Sequence, residues 1–557
     1  MTPTSILSAL FDAAADHGER PALTVLGREG ARSWTFDELV TRVAQVATRL
    51  TELGARGERV LLACPTSLEY APVFYGCMLA GALPVPVYLP SVAHVRAARS
   101  KIEAIARDCG AAFAVTPSPI DDLPGPRVQV TFDDLLTGAP EWAWAVPGPG
   151  DLAFLQYTSG STGDPKGVMV THGGLVHNAS AVGEAVGGDR DTTTVSWLPL
   201  YHDMGLIGSV VTPLFWGAHV VKMSPQAFVA QPYAWLRALS DHGGELAYAP
   251  NFAYELCLRK VTDEQLAGLD LSRWRVAING AEPIRQATVA RFAERFAPAG
   301  FRPEHMRFAY GMAEATLVVT TQRWTDPEAE VVVGGRAYPR CGEPIRGTTV
   351  AIADPETGRP CPPGEVGEIW VSGPSVAAGY WERLDATEET FHARLPGREE
   401  TYLRTGDLGV LSGGGVAVVG RHKDLIVING VNHYPQDVEY TVERVDPAVR
   451  GGCTAAFSAE PTGDVPQGEA AVVVAEVRRD AADPAALLTE IRLAVAREHD
   501  VLLDGVFLVE PGSVPKTTSG KIRRRATRDL LLARELPVVA GWTSEALAAP
   551  VPEAAPR

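Results

Sequence analysis

The segment LAFLQYTSGSTGDPKGVMVTH, residues 152–172, joins a buried-strand pattern directly to a run of small and hydroxyl-bearing residues. That run is Thr158, Ser159, Gly160, Ser161, Thr162 and Gly163, with Lys166 shortly after it. Gly160 and Gly163 allow close backbone approach, so main-chain N–H groups and hydroxyls can wrap a polyphosphate while Lys166 adds a point charge. The order is not that of a Walker A loop, because Lys166 follows Pro165 where that motif needs glycine. A flexible Ser/Gly linker has a similar composition, but it does not sit directly behind a buried strand. Further along, SWLPLYHDMGLIG (196–208) sets His202 beside Asp203, a pair that taken alone also suits a turn histidine satisfied by its neighbour. INGAEPI (278–284) ends a strand pattern in Gly280, Ala281 and Glu282. In YGMAEATL (310–317), Tyr310 and Gly311 lead through Met312 and Ala313 to the lone carboxylate Glu314. That set suits stacking on a base and holding Mg²⁺; without neighbours it reads equally as a core aromatic and a solvated carboxylate. YLRTGDLG (402–409) offers Asp407 as an acceptor for both ribose hydroxyls, and GRHKDLIVINGVNHYPQDVE follows with Arg421 and Lys423. Finally, PKTTSGKIRRR (515–525) places Lys521 in a Gly/Ser/Thr loop before a basic run that by itself also reads as a solvated basic face.

These segments need a scaffold, and the patterning supplies one. ERVLLAC (58–64), LPVPVYL and AAFAVT read as strands, separated by helical stretches to Ala82 and over 97–109. This βαβα rhythm predicts an α/β fold with doubly wound parallel sheets, in which ligands bind beyond the carboxyl ends of strands. A Gly- and Pro-rich run of β-type segments over 331–419 predicts a small β-rich unit closing the large N-terminal domain, 1–420. Beyond it, DLIVING and AAVVVAEV as strands and 435–445 and 484–498 as helices predict a small α+β C-terminal domain over 421–536. Residues 537–557, with Pro550, Pro552 and Pro556, lack periodicity and read as a loose tail.

Bulk properties narrow the class. The chain has 557 residues with 46% hydrophobic and 21% charged, which suits a soluble protein with more than one core. A formal charge of -17 disfavours a general nucleic-acid binder. The cysteines at 64, 77, 109, 257, 341, 361 and 453 form no C-x-x-C pair, which gives no zinc or redox-dithiol pattern and fits reduced thiols in the cytoplasm. The N-terminus reads as an amphipathic helix with Ile6, Leu7, Leu10 and Phe11 on one face, not as a signal peptide. Residues 71–95 lack Asp, Glu, Lys and Arg, but Pro84, Pro86 and Pro90 break the stretch, so a helix followed by a buried strand is expected and membrane insertion is not.

In order and spacing these segments resemble the acyl-adenylate-forming superfamily of acyl- and aryl-CoA ligases, peptide-synthetase adenylation domains and luciferases. The resemblance runs across nearly the whole chain. The forms QYTSGSTGDPKGVMVTH, LPLYHDMGLIG, APNFAYELC, YGMAEATL and NHYPQDVE are most similar to those of the fatty acyl-AMP ligases. The resemblance implies that a carboxylic acid, fatty or otherwise apolar, is activated by ATP to acyl-AMP with release of pyrophosphate. The acyl group then passes to the phosphopantetheine thiol of an acyl carrier protein, in lipid or natural-product biosynthesis; the alternative is a CoA ligase. By the same resemblance, residues 158–163 and Lys166 would hold phosphates, with Thr158 and Glu314 at Mg²⁺. Tyr310 to Ala313 and Gly280 to Glu282 would line adenine, and Asp407 with Arg421 would hold ribose. Lys521, Glu314 and His202 would be catalytic. The acid would lie against Trp197, His202, Met204, Gly205, Ile207, Asn251, Phe252, Ala253 and Tyr254, and Lys423 would be the hinge of a mobile small domain. Two departures leave both acceptors open. The segment 318–340, where the fatty acyl-AMP ligases carry an insertion that hinders use of CoA, is short and polar here, and Val431 replaces the usual arginine of the G-R-N-H-Y-P-Q-D form. Lys516, Arg523, Arg524 and Arg525 are expected to form a basic dock for an acidic carrier.

Overall fold

The computed structural model describes residues 3–88, 95–120, 123–159, 165–326, 329–428, 431–459, 470–481, 483–517, 520–544 and 547. The chain divides into two compact units, Met1–Thr405 with Val410–Val418, and Gly406–Gly409 with Val419–Arg557.

The first unit is organised by a nine-stranded sheet. Its spatial order is Glu343–Pro344, Val318–Arg323, Met306–Gly311, Val276–Asn279, Leu246–Ala249, Thr193–Ser196, His219–Met223, Pro21–Gly27 and Gly30–Thr35. The strands from Met306–Gly311 through Pro21–Gly27 run parallel, with antiparallel strands at both edges. Leu246–Ala249 and Val276–Asn279 are buried along their whole length, as expected of strands covered on both faces. This order matters for function. Trp197, Gly280 and Met312 each follow the carboxyl end of a strand directly, and Asn251 follows another one residue later. Those strands are neighbours in the sheet, so segments far apart in sequence meet along one edge.

A second, wholly parallel sheet orders Leu83–Pro86, Arg59–Leu62, Phe113–Thr116 and Val128–Thr131. The helix Tyr70–Leu79 before it is buried on every face, which explains the charge-free stretch in this region. No helix among the described residues is long and apolar enough to cross a membrane. Thr349–Ala353, Gly367–Ser372, Thr401–Ser412, Ala393–Arg394 and Gly415–Arg421 form a separate β-sheet, the β-rich element expected from the Gly/Pro-rich run.

The second unit holds a four-stranded sheet ordered Val449–Ala459, Ala470–Val477, Gly505–Val509 and Val538–Thr543. Its helices Pro435–Val445 and Pro484–His499 bury Val438, Val442, Ile491 and Val495 in one apolar cluster with Val473 and Leu508. Asp483 starts the second helix, its carboxylate accepting from the Ala485 and Ala486 N–H groups ahead of a proline in the first turn.

One expectation needs correction. Val538–Thr543, read in sequence as loose tail, is an edge strand antiparallel to Gly505–Val509, and the Arg492 guanidinium lies 3.2 Å from the Trp542 ring centroid. Lys166 stands on a strand of its own. Leu152–Ser159 and Pro165–Thr171 form a hairpin with Thr158 opposite Lys166, and the helix His172–Val186 starts only after it.

Candidate active site

In the first unit the hairpin fixes Thr158 and Lys166 side by side at the base of the glycine-rich turn. Gly160, Ser161, Thr162 and Gly163 lie outside the described residues, as does the side chain of Ser159. The outer arm is tied to the segment after it: Met169 N–H donates to Gly379 O at 2.9 Å and Trp381 N–H to Gly167 O at 2.8 Å. This brings Tyr380 beneath Lys166, whose ammonium stands 4.7 Å from the ring centroid. The Tyr380 hydroxyl in turn donates to Glu314 Oε1 at 3.0 Å. Burial, and then the Glu314 charge, push the phenol's pKa well up, so it remains a donor. A cation, an aromatic ring and a carboxylate are thus linked in one run of contacts.

Glu314 is held on a short 3-10 turn, Ala313–Ala315. Its backbone carbonyl accepts from Ala377 N–H at 2.9 Å, and Met312 N–H donates to Leu317 O at 2.9 Å. Gly311 is required there, because a Cβ at that position would lie 1.8 Å from Leu317 O. Thr316 accepts a left-handed backbone (φ 67°), with its hydroxyl donating to Ser375 O at 2.6 Å. Such a compact, constrained turn aims one carboxylate with little freedom. Replacing Tyr380 by Phe removes a hydrogen bond to a charged group, and about a tenfold loss of pyrophosphate-releasing activity, with an unchanged thermal midpoint, is expected from its size. Steady-state kinetics and thermal unfolding on the same preparation check this.

Tyr310, 8% exposed, is the last residue but one of its strand and lies close to Gly280, where an added Cβ would come within 2.7 Å of Ala309 O. Ala281 takes φ 67° and hands the chain to Glu282, whose carboxylate accepts from Phe252 N–H at 2.5 Å. Asn251 Oδ1 accepts from Asn279 Nδ2 at 3.3 Å and from Arg285 N–H at 3.0 Å. The structure therefore assembles Gly280, Ala281, Glu282, Tyr310, Asn251 and Phe252, with Glu282 engaged at the first turn of the helix Asn251–Lys260.

Of the residues assigned to the acid, Trp197 stacks on Phe228 (centroids 3.9 Å apart, 8° between planes) and meets Phe252 edge-on at 5.8 Å. Met204, Gly205 and Ile207 lie on a π-helix, Met204–Val211, which no feature of the sequence suggested. His202 Nδ1 stands 2.7 Å from Asp203 Oδ1, which also accepts from Met204 N–H at 2.7 Å. Tyr201 O, in the same loop, accepts from the Gln156 side chain at 3.0 Å, linking the loop to the strand that leads into the glycine-rich turn. The Tyr254 ring is fully buried against Trp235, Trp274 and Phe292, and its hydroxyl donates to Ile278 O at 3.1 Å. Ala253 is likewise fully buried.

The second unit carries the remaining residues. Asp407 and Arg421 are paired with each other, Oδ1 to Nε at 2.8 Å, with the Asp407 side chain 9% exposed and that of Arg421 52%. Lys423 lies on the 3-10 turn His422–Asp424. Lys521, partly buried, closes a tight loop: its N–H donates to Thr517 Oγ1 at 3.0 Å, and its carbonyl accepts from Thr517 N–H at 2.7 Å. Arg524 corrects the expected basic dock. It is turned inward, donating to Glu439 Oε1 and Oε2 at 2.7 and 2.9 Å and to Asp424 Oδ2 at 2.8 Å. Lys516 Nζ is 3.2 Å from Cys453 Sγ, whereas Arg525 is exposed.

The chain matches the family model described as AMP-binding enzyme over residues 10–381, and that described as Disco-interacting protein 2-like, AMP domain, over 423–540. It is 40% identical over 538 residues to the medium-chain-fatty-acid–(acyl-carrier-protein) ligase JamA of Moorena producens (strain JHB), covering 90% of each chain. To the long-chain-fatty-acid–AMP ligase FadD26 of Mycobacterium marinum it is 38% identical, covering 94% of this chain and 97% of the relative. A fatty acyl-adenylate ligase from L. pneumophila, solved in complex with acyl adenylate and pyrophosphate, matches with a TM-score of 0.71 and 33% identity over 97% of this chain and 98% of that one.

Proposed function

The chain belongs to the AMP-binding enzyme family, and on that premise we propose that it activates a fatty or other apolar carboxylic acid as its acyl-adenylate and then loads it on a carrier protein. In the first step the acid's carboxylate oxygen bonds to the α-phosphorus of ATP, the bond from that phosphorus to the bridging oxygen breaks, and pyrophosphate leaves. Both reactants are anions, so catalysis rests on charge neutralisation and alignment. The observation that carries the reading is the line of Lys166, Tyr380 and Glu314 beside the glycine-rich turn. Lys166 and the turn hold phosphate oxygens. One carboxylate, Glu314, with the hydroxyl of Thr158, which pairs across the hairpin with Lys166, suits Mg²⁺, which keeps several waters and takes a carboxylate or two plus substrate phosphates. The ion would neutralise charge on the departing pyrophosphate.

Tyr310 and residues 280–282 flank the base, Asp407 and Arg421 take the ribose, and Lys521 serves the transferring α-phosphate. Trp197, Phe252 and the loop of His202 face the acid. That wall is apolar and aromatic and suits an acid without an α-amine. Lys423 acts as the hinge on which the smaller unit exchanges Lys521 for the thiol. In the second step the thiol sulfur bonds to the acyl carbon and AMP leaves.

The name of one relative, an acyl-carrier-protein ligase, favours the phosphopantetheine of a carrier as the acceptor. One feature keeps CoA as a second reading. After Leu317 the chain runs through the sheet strand Val318–Arg323 into a small strand pair, Glu330–Val333 and Arg336–Pro339, among its described residues. Supplying preformed acyl-AMP together with either CoA or a phosphopantetheinylated carrier tests the acceptor. Thioester on the carrier, with little acyl-CoA, supports the first reading; comparable acyl-CoA formation replaces it with the second.

A further inference from the structure

Beneath the loop that carries His202 lies a lysine that the reaction above does not use. Lys222, on the strand His219–Met223, is 1% exposed. Its three N–H donors are shared among four acceptors, Leu198 O at 2.9 Å, Ser209 Oγ at 3.0 Å, Ser196 Oγ at 3.1 Å and Gly205 O at 3.5 Å, and no carboxylate is among these partners. Burial alone pulls this amine down to about 7, so apolar packing does not explain a lysine here.

What the four acceptors share is position. Leu198 O opens the loop 198–205 and Gly205 O closes it, while Ser196 ends the strand before the loop and Ser209 lies on the π-helix after it. The loop is folded tightly on itself, since a Cβ at Gly205 would lie 1.9 Å from Pro199 O. Its middle is pinned too: Leu200 O accepts from the Tyr70 hydroxyl at 3.2 Å and Tyr201 O from Gln156 at 3.0 Å. Trp197, His202 and Met204 project from this pinned turn.

We propose that Lys222 is a positioning residue for acid selection, a buried clamp that ties both ends of the loop 198–205 to the sheet and so sets where Trp197, His202 and Met204 meet the substrate. A single multivalent donor suits this task, because it satisfies carbonyls at both loop ends from one point and holds their separation. The loop runs into a π-helix, a rare form found frequently at functional sites. The proposal rests on the reading that this loop faces the acid.

The test is a split of Michaelis constants in the full-length enzyme. Pyrophosphate release is measured for Lys222→Met and for the milder Ser209→Ala, titrating acids of graded chain length and MgATP separately. With Lys222→Met, KM for the preferred acid rises about tenfold and chain-length preference broadens, while KM for MgATP stays within about twofold. Ser209→Ala shifts the acid KM in the same direction by a smaller factor, and it carries the test if Lys222→Met does not fold. An acid KM unmoved in the folded variants, or acid and MgATP constants rising together, overturns the clamp and leaves Lys222 a purely structural residue. A wild-type enzyme that releases no pyrophosphate with any acid instead overturns the functional reading on which the clamp rests, and the two failures are thereby told apart.

Discussion

Lys521→Ala lowers acyl-adenylate formation by about a hundredfold or more, the scale set by removing one preorganised donor from a developing charge. The loop that carries Lys521 is held by its backbone, through the pair of bonds between residues 517 and 521, so truncating the side chain leaves the turn in place. The loss should appear in kcat for pyrophosphate release, with KM for the acid little changed, because the ammonium acts on the transferring phosphoryl group. Transfer from supplied acyl-AMP to the thiol acceptor should survive, since no phosphorus centre reacts in that step. Measuring the two half-reactions separately checks this. Equal loss in both would mean that the lysine supports the small unit's fold and not the adenylation chemistry.

Arg524→Met destabilises the smaller unit by about 3–5 kcal/mol, the cost of deleting one partner of a buried ion pair. Glu439 is 5% exposed and also accepts from Ala456 N–H at 3.0 Å, so it cannot turn to water when the guanidinium is gone. Asp424, at the end of the hinge turn, loses the same partner. Amide hydrogen exchange of the strand Ala470–Val477 reads the effect directly, and Glu439→Gln in the same chain should restore part of it. The neighbouring Arg525→Met, on an exposed side chain, should stay within about 0.5 kcal/mol of wild type. If the two substitutions have equal and small effects on stability, Arg524 belongs to the surface and the inward pairing is wrong.

This contrast also shows what the sequence conceals. Arg523, Arg524 and Arg525 are identical letters in a row, and a basic run reads as one solvated face; helical rotation sends Arg524 inward, a difference with no trace in composition. The strand ends were legible, because short strand patterns run into Gly280 and into the Tyr310–Gly311 pair, and parallel topology then gathers their carboxyl ends. Tyr380 escaped notice because it lies 66 positions from Glu314 and no spacing rule joins them. The π-helix at Met204–Val211 is equally silent, since a uniformly apolar, buried helix carries no periodicity from which its hydrogen-bond pattern can be read. The surroundings of Tyr254 were hidden for a geometric reason. Asn251 and Phe252 start a helix at the site, but helical rotation carries the next residues into the aromatic core. In Val538–Thr543 the β-type residues were present, and the prolines beyond them outweighed that signal.

The most direct test of the account is acid-dependent pyrophosphate release from MgATP by the full-length enzyme, screened over fatty, aryl and cyclic acids, with intact mass analysis of the product. The account predicts release driven by an apolar acid class, an acyl-AMP of matching mass and near-complete loss of both in Lys521→Ala. Absence of release with every acid, or release that Lys521→Ala leaves unchanged, would contradict it.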